Sequence, residues 1–218
     1  MVAQVITIAQ QKGGAGKTTL AAHLGVVMAE YGLKVAMIDV DPQGSLSQWY
    51  HIRDSLNQPN LAPITFVTCS GVSLGAEISR LKRTHDFIVI DSPPHADTEA
   101  KNAIRYANLV VIPMQPSPLD LWATQATLKM AKKEKVPVKM VLNRVNPQAK
   151  LSQRMRDEMK DLSLCLFGNR VAFASALLTG KGITELAHSS VAAEEMETLA
   201  DEILDYFGYE IEEERISA

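Results

Sequence analysis

One short run near the start of the chain combines glycines with two lysines and two threonines. The run reads Lys12-Gly13-Gly14-Ala15-Gly16-Lys17-Thr18-Thr19. Glycines let backbone N–H groups turn inward around phosphate oxygens, and a helix that begins at the end of such a loop adds its positive amino end. In a loop of this type, Lys17 would neutralise the β- and γ-phosphates, Thr18 would bind Mg²⁺ through its hydroxyl, and Thr19 would reach the α-phosphate. The run therefore predicts a site for a nucleoside triphosphate with Mg²⁺.

The elements that must position this loop alternate along the chain. Short apolar runs predict strands at Val5–Ala9, Val35–Asp39, Ile64–Thr68, Phe87–Asp91, Leu109–Met114 and Lys139–Val145. Segments of helical period predict helices at Lys17–Glu30, Leu74–Leu81, Ala100–Tyr106, Leu119–Lys133, Lys150–Leu162 and Ala192–Phe207. This alternation is typical of a doubly wound α/β fold, in which helices flank a mostly parallel sheet. Ligands of such sheets lie beyond the carboxyl ends of the strands, so we expect the chemistry after Ala9, Asp39, Asp91 and Met114.

Length and composition favour one compact domain. The chain has 218 residues, 46% of them hydrophobic, and no linker, repeat or low-complexity segment is evident, so residues 1–218 are predicted to form a single domain. The opening residues lack the features of an export signal, and charges interrupt every apolar run before it reaches the roughly 20 residues that cross a bilayer. Cys69 and Cys165 have no metal-like spacing. We therefore expect a cytoplasmic protein with reduced thiols.

The glycine-rich loop departs from the general phosphate-loop pattern at its start. Gln11 stands where the general pattern has a glycine, and an additional lysine, Lys12, follows it. With these residues the chain resembles the ParA/MinD family of deviant Walker ATPases. Three later segments extend the resemblance to about residue 144: Asp39-Val40-Asp41-Pro42-Gln43, Ile88-Val89-Ile90-Asp91-Ser92-Pro93-Pro94 and Leu142-Asn143-Arg144. They are similar to the family's second motif, its Walker B strand and its nucleotide-base segment, so the resemblance implies a P-loop NTPase fold and ATP hydrolysis with Mg²⁺.

The resemblance also implies roles for individual residues. Lys12 would reach across a two-fold axis to the ATP of a second subunit, so that a homodimer forms around two nucleotides. Asp41 would orient the attacking water, and Asp91 would hold the Mg²⁺ shell. Asn143 and Arg144 would lie near the nucleotide base. Such a site works by positioning and charge neutralisation, which is what phosphoryl transfer requires.

Several conspicuous side chains also have simpler interpretations. Asp41 could be a turn residue ahead of a proline, and for Asp39 a turn role is favoured. His95 is predicted to lie in a loop near the nucleotide. Trp49 and Trp122 are interpreted as packing residues.

Charge is distributed unevenly along the chain. Residues 111–181 hold 12 basic and 5 acidic side chains, whereas residues 182–218 hold 1 basic and 11 acidic ones. The acidic tail from Asp201 to Glu214 would be repelled by anionic lipid, which disfavours the membrane binding of the MinD branch. The basic middle suits a DNA backbone, as in the ParA branch, whose members bind DNA without sequence preference.

Three basic residues are the candidates for DNA contact. Arg170 lies in a segment that looks like the family's late DNA-binding segment, and Lys181 and Arg154 are further candidates. An ordinary ion pair with an acidic neighbour remains an alternative for Arg170.

These observations favour a ParA-like ATPase that partitions DNA or positions a protein cargo over the nucleoid. A ParB-like or cargo-adaptor protein would stimulate hydrolysis, and autoregulatory repression is not expected because the loop already begins at Lys12. The alternatives are a MinD-like regulator that cycles on membranes and a metabolic P-loop enzyme, such as a relative of dethiobiotin synthetase or of the nitrogenase iron protein. The iron protein would need bridging cysteines, and none lies near Asp91 or Arg144.

Overall fold

The computed structural model describes residues 2–94, 98–158 and 164–209. The strands of this part of the chain are β1 Gln4–Ile8, β2 Val35–Asp39, β3 Ile64–Thr68, β4 Phe87–Asp91, β5 Leu109–Met114, β6 Val138–Val145 and β7 Leu164–Gly168. The helices are α1 Lys17–Glu30, α2 Ser45–Ser55, α3 Leu74–Leu81, α4 Thr98–Tyr106, α5 Pro118–Glu134, α6 Lys150–Glu158, α7 Val171–Leu178, α8 Ile183–Ala187 and α9 Val191–Tyr206.

The strands form one sheet in which every described pairing is parallel. Their order is β3-β2-β4-β1-β5-β6-β7. The central strands β1, β2, β4 and β5 are buried almost throughout, because helices cover both faces of the sheet. The predicted α/β fold, with a mostly parallel sheet flanked by helices, is confirmed.

The sheet order brings three carboxyl ends together. β4 lies between β1 and β2, and the register places Asp91 opposite both Ile8 of β1 and Asp39 of β2. The loops that follow these three strands therefore lie next to one another at the same edge of the sheet. This is where ligands of doubly wound sheets are held.

Helix α1 runs through the interior and anchors the loop that precedes it. Eleven of its residues are buried, on all sides of the helix. Gly25 allows this close packing, since a Cβ there would meet the Sδ of Met37 on β2 at 2.8 Å. The loop before α1 is thus attached to a helix that cannot shift without disturbing the core.

The sequence predictions missed one strand and three helices. β7 begins two residues after the end of the helix predicted at Lys150–Leu162, and its short apolar run was not identified as a strand. α2 is mostly polar with three buried residues, and α7 is apolar on all sides, so neither has a clear helical stripe. α8 has only five residues.

Some predictions fall outside the described residues. These are the end of the helix predicted to reach Leu162, the loop residue His95, and the tail from residue 210 onward. The prediction that both tryptophans pack is correct for Trp49, which is buried, and wrong for Trp122, which is 67% exposed on α5. Cys69 and Cys165 are free thiols. In the described part of the chain, no helix has the length and apolar character to cross a bilayer.

Candidate nucleotide-binding site

The glycine-rich loop joins the end of β1 to the start of α1. Gly14 and Gly16 have φ angles of 75° and 102°, which side chains other than glycine rarely adopt. A Cβ at Gly16 would also collide with the side-chain amide of Asn143, whose Nδ2 donates to the carbonyl of Ala15 at 3.0 Å. The glycines therefore give the loop the conformation that a phosphate cradle requires, and Asn143 supports it from β6.

Lys17 is the first residue of α1 and lies at the bottom of the loop. It is 7% exposed. Burial lowers the pKa of its ammonium, while the nearby carboxylates of Asp91 and Asp41 raise it. A buried lysine beside a cradle of backbone N–H groups is suited to neutralise a phosphate.

Asp91 at the end of β4 faces Thr18. The Thr18 hydroxyl donates to Oδ2 of Asp91 at 2.6 Å. Burial raises the pKa of Asp91 to about 7, and its Oδ1 is buried with no hydrogen-bond partner among the described residues. An orphaned carboxylate oxygen next to a threonine hydroxyl is a donor set that fits Mg²⁺, which prefers oxygen ligands. Thr18 and Asp91 therefore fit the metal roles predicted for them.

Asp39 shapes the loop that carries Asp41. Its carboxylate accepts hydrogen bonds from the Asp41 backbone N–H at 3.0 Å, and from the backbone N–H and hydroxyl of Ser47 at 2.8 and 2.7 Å. This is the turn role favoured for Asp39. Asp41 itself accepts from the backbone N–H of Gln43 at 2.9 Å, yet it also lines the cleft described next.

A cleft of 780 Å³ extends from the glycine-rich loop to the groove between α2 and α7. The residues at its polar end are Gly13, Gly14, Gly16, Lys17, Thr18, Thr19, Asp41, Gln43 and Arg144. Its other wall includes Gln48, Trp49 and Ile52 of α2 and Ala174, Leu177 and Leu178 of α7. The structure thus brings together most of the predicted nucleotide-site residues.

The wall of α2 and α7 is the part of the site that sequence reasoning missed. The available signal was Trp49, which was interpreted only as a packing residue. Trp49 does pack, and its Nε1 donates to the carbonyl of Lys181 at 3.4 Å, but it also lines the cleft. Because α2 and α7 have no clear apolar stripe, their sequences did not indicate which of their residues would form a cleft.

Lys12 does not line this cleft. Its ammonium forms an ion pair with Asp120 in the first turn of α5. The lysine that distinguishes this loop is therefore directed away from the site that its own subunit's nucleotide would fill.

The candidate DNA contacts lie on different elements. Arg170 precedes α7 and donates to both carboxylate oxygens of Glu195, at 2.9 and 2.7 Å. This is the ion pair considered as an alternative for Arg170, and it leaves the arginine side chain 35% exposed. Lys181 lies between α7 and α8, and Arg154 is exposed on α6. The structure brings Arg170 and Lys181 to the two ends of α7 but places Arg154 on a separate helix.

The fold and the glycine-rich loop define a P-loop nucleotide-binding protein. The family model for the CobQ/CobB/MinD/ParA nucleotide binding domain matches residues 6–183, and the chain belongs to this family. The resemblance to ParA/MinD proteins is thereby confirmed.

Relatives and solved structures agree with this assignment. The chain is similar to the maintenance of carboxysome distribution protein A of Halothiobacillus neapolitanus, with 27% identity over 210 residues that cover 91% of this chain and 95% of the relative. In an alignment of 235 positions it is 23% identical to the chromosome-partitioning ATPase Soj of Thermus thermophilus, and the alignment covers 91% of this chain and 94% of the relative. The fold is similar to that of Pyrococcus horikoshii MinD with Mg-ADP, with a TM-score of 0.81 at 22% identity over 94% and 98% of the two chains. An ATP complex of a Cyanothece McdA variant gives 0.77 at 20% identity, over 95% and 97%.

Proposed function

We propose that this protein is a ParA-like ATPase that forms an ATP-dependent sandwich dimer, binds DNA without sequence preference, and hydrolyses ATP to position a cargo over the nucleoid. Residues 1–218 act as one ATPase domain in this proposal. The observation that carries it is the position of Lys12, which belongs to the phosphate loop but points away from the cleft of its own subunit. A second subunit would bring its own ATP to this lysine.

The roles within the site are those that the loop pattern and the family resemblance imply, and the position of most of these residues around one cleft supports them. The loop from Gly13 to Gly16 and Lys17 would hold the phosphates, with Thr19 at the α-phosphate. Thr18 and Asp91 would hold Mg²⁺, which would supply neutralisation of the developing charge on the phosphates. Asp41 lines the polar end of the cleft, where it would orient the attacking water. Asn143 and Arg144 would lie near the base.

The proposed cargo is either DNA or a protein assembly. Two of the similar proteins are named for carboxysome distribution and for chromosome partitioning, which supports a positioning or partitioning role. In this proposal a ParB-like or cargo-adaptor protein is the partner that stimulates hydrolysis, and the protein is cytoplasmic and nucleoid-associated. The 12 basic side chains of residues 111–181 support DNA as the surface on which it works.

The test is ATP-dependent assembly. Light scattering of the wild-type protein should show a dimer with Mg-ATP and a monomer with Mg-ADP. Lys12→Ala should still bind ATP but remain monomeric and lose most hydrolysis, because a cation supplied in trans can contribute roughly 10³–10⁵ in rate. Asp41→Ala should give a long-lived ATP dimer that hydrolyses slowly.

Lys101→Ala on α4 is a matched control, since it removes an exposed lysine that does not line the cleft. It should assemble like the wild type. An ATP-induced dimer of Lys12→Ala with unchanged hydrolysis would exclude the proposed mechanism.

A further inference from the structure

The edge of the sheet opposite the glycine-rich loop carries a row of basic side chains. All strands of a parallel sheet begin at one edge, and the residues that shortly precede four of these strands are basic. They are Lys34 before β2, Lys82 and Arg83 before β4, Arg105 before β5, and Lys132, Lys133 and Lys135 before β6. Six of them are exposed, and Lys82 is half-buried. We call these seven residues the basic edge.

The charges of the basic edge are not neutralised by the part of the chain that the structure describes. None of the seven side chains forms an ion pair with a described residue. Two carboxylates lie among them. Asp86 accepts a hydrogen bond from the backbone N–H of Lys34 at 2.8 Å, and Glu134 is exposed at the end of α5. The basic edge is therefore a surface that attracts anions.

The ends of helices explain only part of this row. Cations in the last turn of a helix are stabilised by the helix dipole, which accounts for Arg105 on α4 and for Lys132 and Lys133 on α5. Lys34 lies beyond the last turn of α1, where this effect has fallen off. Lys135 has a φ angle of 59°, in the left-handed region where glycine is favoured at the end of a helix. A positive charge thus occupies positions that helix stability alone does not favour.

The described chain ends at Tyr209, beside the basic edge. After α9, Gly208 has a φ angle of 70°, and the backbone N–H of Tyr209 donates to the carbonyl of Leu204 at 3.0 Å. The ring of Tyr209 packs on Phe87, the first residue of β4, with 4.8 Å between the ring centroids. The sequence that follows Tyr209 therefore starts from the edge where β4 begins.

This following sequence has the opposite charge. Residues 210–214 read Glu-Ile-Glu-Glu-Glu. Neighbouring strands lie about 4.8 Å apart, so β6, three strands away, begins about 14 Å from β4. Five extended residues span about 16 Å. Segment 210–214 is thus long enough to pass along the basic edge from β4 to β6.

Charge also decides on which side of the sheet this segment would lie. α9 packs with α1 on one face, and near its end it carries Asp201, Glu202 and Asp205, which would repel further glutamates. α4 and α5 pack on a different hydrophobic cluster, and their last turns are basic. Electrostatics therefore favours the side of α4 and α5.

We propose that the basic edge is an interaction surface whose occupant is segment 210–214 of the same chain. A row of unpaired cations would otherwise bind the phosphates of nucleic acid in any nucleotide state. A segment tethered within reach of this row competes with such a polyanion at high effective concentration. The contact keeps DNA off this end of the molecule, which is opposite to Arg170 at the carboxyl end of β7. It forms within one subunit without a nucleotide, so the inference does not rest on the proposed function.

Cross-linking with a carbodiimide tests the contact, because this reagent joins a carboxylate to an amine that touches it. In the nucleotide-free protein at low salt, mass spectrometry should find segment 210–214 linked to lysines of the basic edge. High salt should reduce these links. Lys150, in the first turn of α6 at the opposite edge of the sheet, is the internal control and should not be linked. In a mixture of isotopically labelled and unlabelled protein, the links should stay within one chain, and links between chains would assign the surface to a second copy and overturn the proposal.

A second measurement tests whether the segment excludes nucleic acid. The triple variant Glu212→Gln/Glu213→Gln/Glu214→Gln should bind fluorescent random-sequence DNA in Mg-ADP roughly tenfold more tightly than the wild type. Lys132→Glu/Lys133→Glu/Lys135→Glu in the same background should remove this gain. The matched control is Asp54→Asn/Asp157→Asn/Asp205→Asn, which neutralises three exposed carboxylates on α2, α6 and α9.

The two triple variants lose the same charge, so a general electrostatic effect would raise the DNA affinity of both equally. That result, or the absence of links from segment 210–214 to the basic edge, would overturn the proposal. ATP-dependent assembly of the wild type is a separate measurement, and its failure would reject the proposed function without changing either result.

Discussion

His23 is a buried histidine whose two ring nitrogens both have partners. Its Nδ1 accepts from the backbone N–H of Ile183 at 3.0 Å, and its Nε2 lies 3.2 Å from the carbonyl of Phe173, to which it donates. Burial lowers the pKa of His23 to about 4, although the Phe173 carbonyl and the charge of Glu185 act in the opposite direction. A proton on Nδ1 would remove the bond from Ile183, so the folded protein holds this ring neutral.

Because the His23 ring stays neutral in the folded protein, we predict that the protein loses stability in acid. Between pH 6.5 and about 4 the unfolded chain binds a proton at this position and the folded chain does not, so acidification favours unfolding. The free energy of unfolding of the wild type should fall by about 3 kcal/mol over that pH range because of His23. His23→Gln should show a correspondingly flatter dependence of the free energy of unfolding on pH, measured by urea titration.

The exposed His51 on α2 is the matched control, and His51→Gln should retain the slope of the wild type. Equal slopes for His23→Gln and the wild type would mean that folding does not lower the pKa of His23.

At the scale of elements, a buried ion pair joins α2 to α8. Arg53 donates to both carboxylate oxygens of Glu185, at 2.7 and 2.6 Å, and each side chain is 5% exposed. Arg53 also donates to the carbonyls of Gly180 and Ala62. Burial raises the pKa of Glu185, but the bonds from Arg53 hold it below its usual value. Since α2 follows the loop of Asp41, this pair fixes one wall of the cleft to the segment after α7.

Removal of one partner should be far more costly than removal of both. Arg53→Ala should lower the free energy of unfolding by about 3–5 kcal/mol because it leaves Glu185 buried and unpaired. The double variant Arg53→Met/Glu185→Leu should lose less than Arg53→Ala. Chemical denaturation monitored by circular dichroism gives both values.

Arg80→Ala removes an exposed arginine of an ion pair and should cost no more than about 1 kcal/mol. A similar loss for Arg53→Ala and Arg80→Ala would show that the buried pair does not hold α2 in place.

At the scale of the whole molecule, the proposed binding of DNA would depend on how two subunits combine their charges. In the single subunit Arg170 forms an ion pair with Glu195. The carboxylate therefore offsets the contribution of Arg170 to DNA binding unless a DNA phosphate competes for the guanidinium. Two moderate basic surfaces on one rigid dimer raise the effective affinity for a long polyanion. We therefore expect the ATP dimer to bind duplex DNA of any sequence and the monomer to bind weakly.

The measurement is a titration of fluorescent random-sequence DNA with Asp41→Ala protein in Mg-ATP at two salt concentrations. Affinity should fall steeply with salt, with a slope of roughly -0.9 per neutralised phosphate in log K against log salt. Arg170→Glu should abolish binding while leaving ATP-dependent dimerisation intact, and Lys181→Glu or Arg154→Glu should weaken it.

Arg80→Glu on α3 makes the same change of charge on an exposed arginine outside the basic middle segment and should bind DNA normally. Equal binding with ADP and ATP, or none at low salt, would reject nucleoid tethering.

The sequence by itself determined the phosphate loop and much of the sheet. β2, β3, β4 and β5 have the bounds that their apolar runs predicted, and so does α1. Each of these features is local, since a strand shows itself in a short apolar run and the loop in the spacing of Gly16, Lys17 and Thr18. Family resemblance then supplied roles for Asp41, which follows β2, and for Asp91, which ends β4, so both lie at the predicted edge of the sheet.

Only the tertiary structure decided which distant groups meet. Lys12 and Asp120 are 108 residues apart, and Arg170 and Glu195 are 25 apart, so no spacing rule could pair them. The exposure of Trp122 and the wall formed by α2 and α7 were also decided by packing, because a side chain's burial depends on which helix covers it. A sequence pattern indicates which chemistry a side chain can perform. The fold determines which other side chain it contacts.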